Sequence, residues 1–234
     1  PHECSSAASD VYKRQEDEFG NVVYMPSSTT LAVAAWKNDG TSTQAGHVRV
    51  FNWNGTDWVQ KGVDIDGEAY GDFSGNAISM PDENTIAIGA QGNGAGGFLA
   101  GHARVYIWDG TSWVQRGTDI DGVMQSYTGY SVAMPDPFTL AVGAPAHDEV
   151  EQDAGKLRVY EWSGSDWTQR GSDINGDALY DNCGFSVAMP DANTILVSLV
   201  NKTIGSNYDA VEVRVYLWNT TVNDWEQRAS ITGS

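Results

Sequence analysis

The chain has 234 residues, with 13 Lys and Arg against 31 Asp and Glu, for a net charge of −18. That balance excludes nucleic acid as a partner, because phosphate binding needs clustered cationic side chains. The longest apolar runs, such as Thr194 to Val200, are only strand-length, so no membrane insertion is expected.

Residues 1–15 stand apart from the rest of the chain. Ser5 to Gln15 resembles, residue for residue, the translation of a sequencing adaptor, and the segment is read as a non-native, disordered tail. Setting Cys4 aside with that tail leaves Cys183 as the single native cysteine, so no disulfide framework is expected.

From residue 16 to residue 234 one unit recurs four times. Trp53, Trp108, Trp162 and Trp218 lie 55, 54 and 56 residues apart, and each is followed by a second tryptophan, Trp58, Trp113, Trp167 or Trp225. Met-Pro pairs at Met25, Met80, Met134 and Met189 mark the same interval upstream. A period of about 50 residues is the signature of a solenoid, propeller or array.

Four short strands fit within each period. In the second unit they are residues 76–80, 85–90, 103–108 and 112–117, rich in β-branched and aromatic residues and bounded by Gly, Pro, Asn and Asp. Asn54-Gly55, Asp109-Gly110 and Ser163-Gly164 supply positive φ for a tight hairpin between the last two strands. No stretch sustains a 3.6-residue apolar period, so helix is expected to be nearly absent.

Strand alternation puts Arg104, Tyr106 and Trp108 on one face and Val105 with Ile107 on the other. A lone sheet cannot bury both faces; sheets stacked around an axis can. The expectation is an all-β fold, a β-propeller of four-stranded antiparallel blades. One domain covers 16–234, with blades near 16–65, 66–120, 121–174 and 175–234. The tryptophan pairs are read as structural, packing blade against blade.

In such a meander, the first and third turns of every blade share one face of the propeller. The longer, dissimilar connections share the other: 37–45, 91–101, 145–154 and 201–211. Irregular loops on a rigid scaffold are where binding tends to sit. One candidate ligand-binding loop there is His147, Asp148, Glu149, Glu151 and Asp153. Another is the acidic pair closing the last strand, Asp64 with Asp66 and Asp119 with Asp121, which could begin a metal site; the competing reading is turn chemistry, with the side chain accepting a backbone N–H. His47 and His102 share a repeat position with Lys156 and read as an exposed strand-edge position. Asn54, Asn201 and Asn219 stand in glycosylation sequons.

Phe19-Gly20 and Gly143-Ala144-Pro145 carry a resemblance to the FG-GAP repeats of integrin α-chain-type β-propellers. The glycines preceding each first strand (Gly20, Gly75, Gly129, Gly184) and the Gly-Ala ending the second (Gly89-Ala90, Gly143-Ala144) are in the matching register. The resemblance implies an extracellular or cell-surface binding or adhesion module, non-enzymatic, with a protein or glycan ligand. It also implies more than four blades, so the chain is expected to be a fragment of a larger propeller, with further blades or domains in a longer parent. The family calcium loop is not matched: the turns at 27–29, 82–84, 136–137 and 191–193 lack the alternating oxygen ligands that Ca2+ needs. No cofactor is therefore assigned; Ca2+ remains an option at the acidic pairs, and a metal or other cation at the loop of His147, Asp148, Glu149, Glu151 and Asp153. A carbohydrate-active or other hydrolytic propeller enzyme, or a purely structural repeat segment of a surface protein, are the alternatives. No catalytic residue emerges from the sequence.

Overall fold

The computed structural model describes residues 17–204 and 207–233. The adaptor-like segment 1–15 lies outside the described residues. Four antiparallel sheets follow one another along the chain, and no helix occurs among the described residues. The repeated β-blade architecture expected from the periodicity is present.

The first blade comprises β1 (Val22–Ser27), β2 (Thr30–Ala35), β3 (His47–Trp53) and β4 (Trp58–Gln60), with β5 (Ile65–Asp66) pairing back onto β3. The second repeats this plan with β6 (Ser74–Asp82), β7 (Thr85–Ala90), β8 (His102–Trp108), β9 (Trp113–Gln115) and β10 (Ile120–Asp121). The third is β11 (Ser131–Asp136), β12 (Thr139–Ala144), β13 (Lys156–Trp162), β14 (Trp167–Gln169) and β15 (Ile174–Asn175). The fourth has β16 (Val187–Asp191), β17 (Thr194–Ile204), β18 (Asn207–Asn219) and an unbroken β19 (Asp224–Thr232).

Two local details differ from the sequence reading. The expected single fourth strand is split in blades one to three, because Gly62, Gly117 and Gly171 take positive φ and turn the chain before it re-pairs as β5, β10 or β15. The hairpin loop is also wider than a two-residue turn. Trp108 faces Trp113 in the register, and Asp109 caps the intervening residues by accepting the amides of Thr111 and Ser112, both at 2.8 Å.

The core lies between blades, not within them. Ala32, Val48 and Val50 of blade one pack on Ile78, Met80 and Ile88 of blade two. Val105 and Ile120 then meet Met134 and Leu140, and Leu157 and Val159 meet Ile195 and Val197. The first strands β1, β6, β11 and β16 adjoin one another in chain order, and no comparable packing joins β16 to β1 among the described residues. Each blade thus contributes one small aliphatic face and one larger face carrying Met, Ile or Leu.

At the two ends these faces are uncovered. Met25 is 54% exposed, whereas Met80, Met134 and Met189 in the same repeat position are 1%, 3% and 8% exposed. Val213 and Val215 of blade four are only half-buried, while their counterparts Val48, Val50 and Val105 are buried.

Candidate functional site

The short strands β5, β10 and β15 place one carboxylate against an arginine in each of the first three blades. Arg49 holds Asp64 in a two-point pair, Nε to Oδ1 at 2.9 Å and Nη2 to Oδ2 at 2.7 Å, and Gln60 donates to the same carboxylate at 2.8 Å. Arg104 and Gln115 hold Asp119 likewise, and Arg158 and Gln169 hold Asp173. In blade four the residue opposite Arg214 is Ser230, and Arg214 pairs instead with Glu212 and Asp177. The first Asp of each Asp-Ile-Asp or Asp-Ile-Asn run is therefore bound to a cross-strand guanidinium. Burial opposes ionisation of Asp64, but the Arg49 and Gln60 hydrogen bonds outweigh it and hold the carboxyl below its usual range.

Turn capping falls to other residues. Asp72, buried, accepts the amides of Glu68 and Ala69 at 3.0 and 2.8 Å, and Asp181 accepts those of Asp177 and Ala178. Their spacing, four residues after an acidic Glu68 or Asp177, is a signal visible in the sequence.

Beside each Arg–Asp pair stands the residue at the start of β3, β8 or β13. His47 lies directly opposite Asp66, His102 opposite Asp121 and Lys156 opposite Asn175. Both histidines are buried, 3% and 4% exposed, which overturns their reading as an exposed edge position. Period two puts residue 47 on the same side as Arg49, and that side faces the Arg–Asp pair. His47 Nδ1 sits 3.7 Å from Asp64 Oδ2 and 4.0 Å from Asp66 Oδ1; His102 Nδ1 sits 3.8 Å from Asp119 Oδ2 and 4.0 Å from Asp121 Oδ1. Burial, and then the neighbouring arginine, lower the pKa of both imidazoles, so they are neutral at pH 7. Burial, followed by repulsion from Asp64, raises Asp66. In blade three the Lys156 ammonium takes the histidine's place, 2.6 Å from Asp173 Oδ2 and also paired with Glu149.

The acidic loop 147–153 is stitched together by its own groups. His147 Nδ1 accepts the amide of Glu149 at 3.2 Å, Asp148 accepts the amide of Asp153 at 2.8 Å, and Glu149 closes over Lys156. Burial, and then Asp148, raise the pKa of Asp153. Glu151 and Asp153 form no common cluster with the histidine.

Next to that loop the long connections enclose a cleft of about 490 Å3, lined by Tyr127, Tyr130 and Phe185 with the amides Gln91, Asn182 and Asn201. Tyr130 and Phe185 pack as a tilted pair, ring centroids 4.8 Å apart and planes at 42°. A smaller cleft of about 190 Å3 continues from it, sharing Gln91 and Tyr130 and adding Trp36. Asn182 Nδ2 donates to the Pro145 carbonyl at 3.0 Å, tying the wall of the cleft to the acidic loop. The sequence reading chose this face for its variable loops but missed the aromatic lining, although Tyr130 and Phe185 follow Gly129 and Gly184 at one repeat position, each in the connection from one blade to the next. No family model matches this chain, and no curated protein matches it.

Proposed function

We propose that this chain is a non-enzymatic binding module, of the adhesion type, that takes a glycan in the cleft on its variable-loop face. The observation carrying the reading is the cleft itself. Its lining offers two packed aromatic rings and three amides, the pairing of apolar face and hydrogen-bonding groups that a sugar ring requires. Phe185 is 41% exposed, a ring surface open to a ligand.

The chemistry of the lining favours binding over hydrolysis. Glycoside hydrolysis takes two carboxylates at a set separation, and none of the residues lining the larger cleft is acidic. The loop residues Asp148, Glu151 and Asp153 lie beside the cleft and give the face its negative charge. The FG-GAP resemblance adds an extracellular or cell-surface setting to this reading, with the blades serving as part of a longer propeller.

Titration calorimetry against a panel of neutral oligosaccharides tests it. Saturable binding that is lost in both Tyr130→Ala and Phe185→Ala, with folding retained, is the expected result. Binding that persists in both variants but disappears on alanine replacement of Asp148, Glu149, Glu151 and Asp153 moves the site to the acidic loop. Turnover of any oligosaccharide by the wild-type chain overturns the non-enzymatic reading.

A further inference from the structure

We propose that blades one and two each carry a site for a divalent transition-metal ion of the zinc type, built from His47, Asp64 and Asp66 in one and His102, Asp119 and Asp121 in the other. In each group one ligand atom per residue lies within 4.8 Å of the others. The placement follows from register. His102 and Asp121 are directly opposed in the β8–β10 pair, and Asp119 stands two residues before Asp121, on the same face.

The second observation is the histidine of blade two; in blade one the imidazole Nδ1 takes the same place, and the atom without a partner is Nε2. The His102 side chain is only 5% exposed, and its Nδ1 has no hydrogen-bond partner although it points at both carboxylates. At 3.8 and 4.0 Å these contacts are too long for hydrogen bonds. They are near the separation of two ligands on one ion, about 3.4 Å for tetrahedral zinc with bonds of about 2.1 Å, so a closure of a few tenths of an ångström brings the imidazole and each carboxylate to ligand spacing. A buried polar atom without a partner is costly, and a metal ion satisfies it while relieving the repulsion between the two carboxylates.

The third blade supplies an internal comparison. There the register positions hold Lys156 and Asn175, and the ammonium occupies the space beside Asp173. Asp173 accepts Arg158 and Lys156 together, so a carboxylate in this frame has room for both its arginine and a second cation. Blades one and two keep the arginine but have an imidazole in place of the lysine and a carboxylate in place of the amide. Imidazole with two carboxylates suits a first-row divalent ion better than Ca2+, which prefers six or more oxygens. Asp66 and Asp121, 39% and 47% exposed, leave the outer side open for water to complete the coordination.

The third blade also supplies the test, because its Lys–Asn pair fits the same register. The full chain, stripped with a chelator, is titrated with zinc against a chromophoric competitor. Wild type is expected to take up two more equivalents than a variant carrying His47→Lys, Asp66→Asn, His102→Lys and Asp121→Asn. The variant changing only His102 and Asp121 is expected to lose one. His2 and Cys4 are present in every variant, so any zinc they hold cancels. Cobalt substitution gives an independent readout: intense visible bands of a four- or five-coordinate ion in wild type, absent from the quadruple variant. Equal zinc uptake by wild type and a folded quadruple variant would overturn the proposal, as would a purely hexa-aqua cobalt spectrum in wild type.

Discussion

The indole Nε1 of Trp167 donates a 2.8 Å hydrogen bond to the backbone carbonyl of Arg116, one blade back along the chain. The contact recurs from Trp113 to Lys61 and from Trp225 to Arg170, each at 2.9 Å. The same basic residues lay their cationic heads over the next blade's rings, Arg116 at 4.5 Å from Trp162 and Arg170 at 4.3 Å from Trp218. The repeated Trp-x-Gln-Lys/Arg run thus forms an inter-blade clamp. Trp58 in the first blade makes no such bond among the described residues and is 39% exposed. Trp167→Phe is expected to lower stability by about 1–3 kcal/mol through the stranded carbonyl, while Trp58→Phe stays within about 0.5 kcal/mol. Denaturant midpoints of the two variants, compared side by side, check this difference.

Asp173 predicts an acid limb. Burial opposes its ionisation, but hydrogen bonds from Arg158 and Lys156 outweigh burial and hold its pKa at about 2, below the ordinary 3.8. With the folded value depressed, the stabilisation is complete above pH 4 and is lost as pH falls through 2. It amounts to about 2 kcal/mol at neutral pH. Thermal melts of Asp173→Asn between pH 2 and pH 7 are expected to show a flatter acid limb than wild type and a lower midpoint at pH 7.

Gly129 is where conformation and space both demand glycine. Its φ is +82°, and a Cβ there would overlap the His102 carbonyl oxygen. Gly89, in the neighbouring blade, likewise has no room for a Cβ against the Gly129 carbonyl. Gly110, at φ +104°, has open space around it. Gly110→Ala is expected to cost about 1–2 kcal/mol from backbone strain alone, and Gly129→Ala to exceed about 4 kcal/mol and abolish the cooperative transition. Near-UV circular dichroism during unfolding distinguishes them.

The uncovered end faces are the two halves of an interface that the chain builds three times within itself. Copies of the chain are therefore expected to associate head to tail, the Val23 and Met25 face of one against the Val213 and Val215 face of another. Sedimentation velocity should show size rising with concentration, and Met25→Glu should shift the boundary toward monomer. A single monomer boundary for wild type at every concentration would refute the association.

Much of the fold is legible without coordinates. The ~55-residue spacing of Trp, Met-Pro and Gly reports the repeat, because each blade must present the same packing residues to the next. Glycines in register with Gly89 and Gly129 mark the blade-to-blade approach, and the Asp or Asn before Gly marks the hairpin. These are local or periodic constraints, written into the chain residue by residue.

The candidate sites were decided by pairing. That His102 is buried and faces Asp119 and Asp121 depends on β10 folding back onto β8 after the turn at Gly117, a register that composition does not reveal. The aromatic cleft depends in the same way on residues from blades two, three and four converging around the first strands. Repeat spacing determined that there would be blades; the long-range register of short strands, set by packing between blades, determined which side chains meet.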